Sequence, residues 1–181
     1  RGTPDLRTRP RTRYGSAIFP ILTMRRVIDI CPAGSWSTVD AVATVTLAFD
    51  DRYRRRIRLT DDIGNDFLLD LTDPKRFGDG DGLVLEEGGI LAVRAAPETV
   101  IDISCDTIEE KARIAWHLGN RHTPVQILPK GELRMRQDHV LEKMAQTLGA
   151  TTQQRTAPFE PEGGAYEHGH VNRSGGQHHD H

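Results

Sequence analysis

The chain has 181 residues, with 24 Lys and Arg against 26 Asp and Glu and a formal charge of −2. That balance offers no electrostatic case for a nucleic-acid partner, and the sequence holds no run of 18 apolar residues that would cross a membrane as a helix. Two cysteines, Cys31 and Cys105, are too few for a secreted disulfide scaffold and are expected to be free thiols in a reducing cytoplasm.

Residues 1–23 carry five arginines against one acid and show no helical or strand period, so they are expected to form a disordered leader. From Met24 to Ala96 the pattern is all-β. Val39, Ala41, Ala43, Val45 and Leu47 alternate with polar residues, the period of a half-buried strand. In Arg52–Leu59 the odd positions face one way, and Arg52, Arg54, Arg56 and Arg58 form a wet row on the other. Further strands are expected at Phe67–Leu71, Leu83–Leu85 and Ile90–Ala95, separated by the turn-rich stretches 61–65, 79–82 and 87–89.

Past Pro97 the signals alternate. Thr99–Ser104 reads as a strand. Asp106 or Thr107, with Glu109 and Glu110 following, offers a capping box. Ile108, Ala112, Ala115, Trp116 and Gly119 keep helical spacing, and Gly119 or Asn120 suits a left-handed terminus. Val125–Leu128 and Leu133–Met135 read as short strands. Asp138 caps a second helix bearing Leu141, Met144 and Leu148, Gly149 ends it, and Thr151–Thr156 is a last strand. The order β-α-β-β-α-β is that of the ferredoxin-like α+β fold, with two helices over one face of an antiparallel sheet. The expected organisation is therefore a leader (1–23), a β-rich domain (24–96), a ferredoxin-like domain (97–157) and a disordered tail (158–181) in which Gly, Pro, Glu and His displace apolar residues.

Histidine placement is the unusual feature. The first 116 residues have none of the eight, three are His117, His122 and His139, and five lie in the last fourteen residues: His168, His170, His178, His179 and His181. Neutral imidazole is a donor for nickel, zinc and copper. Glycine, asparagine and acid interrupt the tail, unlike the unbroken run of a purification tag. The expected tail is a metal-capturing segment in fast exchange.

The stretch Trp116-His117-Leu118-Gly119-Asn120-Arg121-His122-Thr123-Pro124, with Asp138-His139-Val140-Leu141 and the His-rich end, resembles the urease accessory protein E family, the nickel metallochaperones of urease maturation. On the residues alone, His122 stands open between a loop histidine and a ligand. The resemblance implies a β-rich, peptide-binding-like N-terminal domain and a ferredoxin-like metal-binding domain. It also implies a homodimer in which His122 of both protomers clasps one Ni2+; imidazole chemistry itself admits zinc and copper as competitors in vitro. It further implies His139 as an auxiliary ligand, tail histidines that complete or feed the site, and delivery through a GTPase partner to the urease apoprotein. Some relatives place a second histidine two residues before the later one. Here that position is Gln137, which shifts auxiliary ligation toward the tail.

Other candidates carry less. His117 lies five residues before His122, about 140° around a helix, and is read as packing near Trp116. Cys105 reads as a buried thiol before a soft ligand. The loop Asp79-Gly80-Asp81-Gly82 fails the calcium-loop pattern, and no H-E-x-x-H, G-x-S-x-G or P-loop motif is present, so no catalysis is expected. An RNA-binding module would display stacking aromatics, whereas only 6% of residues are aromatic. The alternative reading is a His-rich nickel or zinc buffer with no delivery role.

Overall fold

The computed structural model describes residues 24–163 and gathers them into two sheets. The leader 1–23 and the five tail histidines lie outside the described residues. The first sheet comprises β1 (Arg25–Cys31), β2 (Ala41–Leu47), β3 (Tyr53–Thr60), β4 (Asp66–Arg76), β5 (Gly82–Leu85) and β6 (Ile90–Ala95), in the order β2-β6-β5-β1-β4-β3. Pairs β1–β4 and β2–β6 are parallel and the rest antiparallel. Alternate residues of these strands, among them Val45, Leu47, Phe67, Leu69, Leu71, Leu83, Leu85, Leu91 and Val93, enter one core with Val27 and Phe77.

That core joins both ends of the sheet, so the sheet curls. The β3–β4 turn reaches edge strand β2, where the Asp62 amide donates to the Thr44 carbonyl at 2.8 Å and the Asp62 carboxylate accepts from the Thr46 amide at 2.9 Å. The contact covers backbone that an edge strand would otherwise expose. Next to it, the Asp61 carboxylate takes the Arg25 guanidinium at 2.6 Å and the Asn65 amide at 2.8 Å. Burial pushes the Asp61 carboxyl up, but these donors outweigh it and leave it below its ordinary value. Asp62, also opposed by burial and held by the Thr44 and Thr46 hydroxyls, is lowered too. A carboxyl lowered on folding stabilises the fold fully above its unfolded value and loses that stabilisation as pH falls through its folded one. Thermal unfolding followed by circular dichroism is therefore expected to give a flat Tm from pH 7 to 5 and a fall below pH ~4, with Asp61→Asn lowering Tm at pH 7 and flattening the acid limb.

The second sheet is built from β7 (Pro97–Ser104), β8 (Gln126–Ile127), β9 (Leu133–Arg136) and β10 (Thr151–Pro158), ordered β10-β7-β9-β8 and antiparallel throughout. Helices α1 (Ile108–Gly119) and α2 (His139–Thr147) complete the expected β-α-β-β-α-β order. Ile101, Ile103, Leu133 and Met135 point to one face and pack with Ile114 and Leu118 of α1 and Leu141 and Ala145 of α2. Thr107 and Glu110 form the capping box, and the Asp138 carboxylate accepts from the Val140 and Leu141 amides. These bonds satisfy amides that have no partner inside the helices.

Four details depart from the sequence reading. Val39 belongs to a 3-10 turn, Thr38–Asp40, and is 87% exposed, because β2 starts only at Ala41. Arg52 is not on the wet face of a strand. It ends a second 3-10 turn, Phe49–Arg52, which rotates its side chain inward to 2% exposure. The left-handed residue after α1 is neither Gly119 nor Asn120. The chain continues through right-handed Asn120 (φ −62), and His122 takes the positive φ. Finally, the packed chain does not stop at Pro158. Phe159 is fully buried against Phe49 and Val100, and Glu162 still donates its amide to the Val125 carbonyl at 2.8 Å. One aromatic side chain with a pocket to fill outweighs the polar composition around it.

Val100, Phe49 and Phe159 join the two domains on the face of the second sheet opposite the helices. Glu98 accepts from the Phe49 amide at 2.7 Å, Arg136 binds Asp50 at 2.6 Å, and Arg52 reaches both the Glu160 carboxylate and the Phe159 carbonyl.

Candidate metal centre

His122 follows α1 in a tight turn. The turn is closed by the His122 amide donating to the Gly119 carbonyl at 2.9 Å and the Thr123 amide donating to the Leu118 carbonyl at 3.2 Å. With φ at 54°, His122 is the one non-glycine residue with positive φ among the described residues. Side chains in that region clash with their own backbone by about 1–2 kcal/mol, although histidine tolerates it better than most. The turn bonds hold the residue there, and Pro124 beyond it restricts Thr123. The exposed imidazole is thus presented from a backbone with little freedom to move.

Two clefts of about 460 Å3 each share His122 as a wall. The first is lined by Phe49, Ala115, Val125, Ile127, Leu133 and Pro161, with Arg76, Thr123 and Glu162 also on its wall. The second is polar and is lined by Glu98, Arg136, Gln137 and Asp138. His139 is the exposed first residue of α2, directly after Asp138. The structure therefore brings the His122 turn and the start of α2 to one cleft without placing His139 on its wall. Among the described residues, no three His, Cys, Asp or Glu side chains converge as a metal-ligand set. The tail histidines 168, 170, 178, 179 and 181 lie outside the described residues.

His117 lies edge-on to Trp116, with ring centroids 4.8 Å apart at 72°. Its carbonyl accepts from Arg121 at 2.9 Å. Burial pushes the thiols of Cys105 and Cys31 up, so thiolate, the form that binds metal, is scarce in both at neutral pH. Three of the four arginines of β3 are engaged: Arg54 with Asp51, Arg56 with Asp70 and Arg58 with Asp66.

Helix α1 shows a second apolar surface. The residues it buries, Ile114 and Leu118, are not those whose spacing announced it. Ile108 is 76% and Trp116 62% exposed, and Ala112, Ala115 and Gly119 are exposed between them. The steps 108, 112, 115, 119 trace one helical stripe, and its last two members share the first cleft with His122.

Residues 27–96 match the family model described as UreE urease accessory protein, N-terminal domain, and residues 98–181 match that of the C-terminal domain. The chain belongs to the UreE family of urease accessory proteins. It is 50% identical over 143 residues to the urease accessory protein UreE of Rhodopseudomonas palustris strain BisB18, a match covering 79% of this chain and 67% of the relative. It is 43% identical over 158 residues to that of Beijerinckia indica subsp. indica, covering 87% of each. It is 42% identical over 146 residues to that of Rhodobacter capsulatus, covering 81% of this chain and 89% of the relative. Membership in the UreE family gives the chain an accessory role in urease maturation. No described helix is long and apolar enough to cross a membrane.

Proposed function

We propose that this protein is a nickel metallochaperone that carries Ni2+ to the assembling urease active site and performs no catalysis itself. It works in the cytoplasm as a homodimer, passing nickel through the urease accessory GTPase to the urease apoprotein. Its metal-binding domain is assigned to the ferredoxin-like class, which the strand order β10-β7-β9-β8 supports.

The observation that carries this reading is the exposed α1 stripe that leads to a conformationally fixed, solitary His122. Ala112, Ala115 and Gly119 are small enough to let two helices approach closely, with Ile108 and Trp116 supplying apolar area at the sides. When two copies meet there about a two-fold axis, one histidine per chain becomes two ligands for one ion. Two imidazoles leave the nickel shell open, and water, His139 and tail histidines fill it. An open shell suits a carrier, because a receiving ligand can enter before the old ones leave. The tethered tail raises local imidazole concentration into the millimolar range, which suits loading.

Native mass spectrometry tests this reading. The expected result is a dimer holding one tight Ni2+ per two chains, with weaker ions added by the tail. Ala112→Glu, which places a carboxylate in the stripe, is expected to give monomers of unchanged circular dichroism that have lost the tight ion. A variant that stays dimeric and keeps the ion would remove α1 from the interface. Tight nickel in monomers alone would leave a buffer.

A further inference from the structure

The imidazole of His122 is aimed by a residue that itself offers no metal donor: we infer that Pro124 is the positioning residue of the site, holding His122 at the left-handed end of α1. The purpose of that placement rests on the nickel reading above, whereas the backbone geometry stands without it.

The first support is how α1 ends. The last four carbonyls of a helix find no donor inside it, yet all four are satisfied here. The Asn120 amide donates to the Trp116 carbonyl at 3.0 Å and the Arg121 guanidinium to that of His117 at 2.9 Å. The Arg121 and Thr123 amides donate to the Leu118 carbonyl at 3.1 and 3.2 Å, and the His122 amide to that of Gly119 at 2.9 Å. The bonds from Thr123 to Leu118 and from His122 to Gly119 close a Schellman turn, and His122 is its left-handed residue. That place belongs by preference to glycine.

The second support is where the turn falls. Gly119 would take the left-handed conformation without steric cost, but it is the last residue of α1 and has no positive φ. Asn120, the next most tolerant, is right-handed at φ −62. Local preference alone would put the reversal at one of these two and leave His122 in the loop beyond. The chain leaves such a turn extended, and Thr123 is the position that the Pro124 ring bars from the right-handed region. The same ring would strike the Asn120 carbonyl if the helix ran on, and it has no N–H to offer that carbonyl. Pro124 therefore favours the one register in which His122 is left-handed and Thr123 follows it extended. Val125 fixes the far side, since it packs against the core of the second sheet and its carbonyl accepts from the Glu162 amide at 2.8 Å.

The third support is location. Pro124 lies on the wall of both clefts that share His122, so it flanks the imidazole on either side of the turn. A binding constellation works only while its supporting residues hold it close to the productive geometry. On a two-fold axis a misaimed imidazole is misaimed in both copies, which makes the clasp more sensitive to Pro124 than a site built within one chain. Histidine at 122 is thus kept against the local preference for glycine, and Pro124 is what keeps it there.

The test uses the full chain. In metal-free protein, a strong nuclear Overhauser effect between the His122 amide and its own α-proton marks the positive φ. Pro124→Ala is expected to weaken it, and so is Pro124→Val, which keeps the apolar bulk should the alanine variant fail to fold. His122→Gly, in the same metal-free protein, is expected to raise Tm by about 2–4 °C. With Ni2+ added, the Pro124 variants are expected to bind the half ion per chain about 10-fold more weakly, while the dimer mass stays that of the wild type. A proline of purely structural use would lower Tm and leave both the His122 signal and the nickel affinity unchanged, which would overturn the inference. So would a variant that loses the signal and still binds nickel like the wild type, or a lower Tm in His122→Gly. Those failures leave the carrier reading standing. A wild type without tight nickel would instead defeat the carrier reading, and the metal-free results on the turn would stand.

Discussion

His122→Ala is expected to abolish the proposed shared nickel site while leaving the proposed dimer and the fold intact. The imidazole is exposed and makes no packing contribution to the core of Ile101, Ile103, Ile114, Leu118 and their neighbours, so removing it leaves that core unchanged. Replacing a left-handed histidine by alanine adds strain of about 1 kcal/mol or less, since both are β-carbon residues in the same φ region. The metal loss is much larger. A four-ligand structural site binds with about 10–16 kcal/mol, or about 3 kcal/mol per ligand. A symmetric clasp loses two ligands for each substitution in the gene, and water recovers part of the deficit. The expected drop in affinity is at least about 100-fold. Titration calorimetry reads it as the disappearance of the high-affinity phase at half an ion per chain, with the weaker tail phase retained. An unchanged high-affinity phase would defeat the clasp.

The contrast with His139→Ala follows from placement. His139 stands at the first position of α2, exposed, and the cap of that helix is the carboxylate of Asp138, not the imidazole. Its loss should neither melt the helix nor remove the tight phase. Gln137, whose side-chain Nε2 donates to Gln154 Oε1 at 3.4 Å, supplies no imidazole beside it. On the proposed carrier reading, His139 is then the one imidazole of the described residues near the clasp besides His122 itself and His117.

Local signals in the sequence proved readable wherever the physics was local. The capping box at Thr107 and Glu110, the Asp138 cap and the alternation of β6 are decided by residues within a few positions of each other. The element order of the second domain followed from those signals. What could not be read depends on contacts far along the chain. Arg52 looked like a fourth member of an arginine row because alternation was extended one residue too far back. Its inward turn is rewarded by Phe159 and Glu160, more than a hundred positions later. Phe159 was hidden for the same reason: a single apolar residue in a polar stretch has no period. In α1 the spacing of Ile108, Ala112, Ala115, Trp116 and Gly119 was visible, but spacing alone cannot say which of two apolar faces meets the sheet. The histidine motif pointed to residue 122 through resemblance, whereas its left-handed backbone is a property only the folded turn reveals.

Arg52→Ala is expected to uncouple the two domains. The guanidinium is 2% exposed, donates to the Phe159 carbonyl at 2.6 Å and pairs with Glu160. Truncation leaves that carbonyl without its donor and a half-buried carboxylate without its cation. Breaking such a pair from one side costs about 3–5 kcal/mol when fully buried. Glu160 keeps some contact with water, which puts the expectation nearer 3 kcal/mol. Burial pushes the Glu160 carboxyl above its ordinary value, with Arg52 pulling the other way, so the protonated form is already tolerated there. Glu160→Gln should therefore destabilise less than Arg52→Ala. Phe159→Ala, which empties a fully buried site, belongs with the larger losses of about 3–5 kcal/mol. The two halves match separate family models, 27–96 and 98–181, and a domain of about 70 residues is marginal by itself. The junction is what lets them melt as one. Calorimetry of the wild type should show a single transition, and Arg52→Ala should lower it by about 6–12 °C and split it in two. Hydrogen exchange should then quicken across residues 159–162 while the β7–β10 ladder stays protected. A single, unshifted transition in Arg52→Ala would mean that Phe49, Val100 and Phe159 hold the domains together without it.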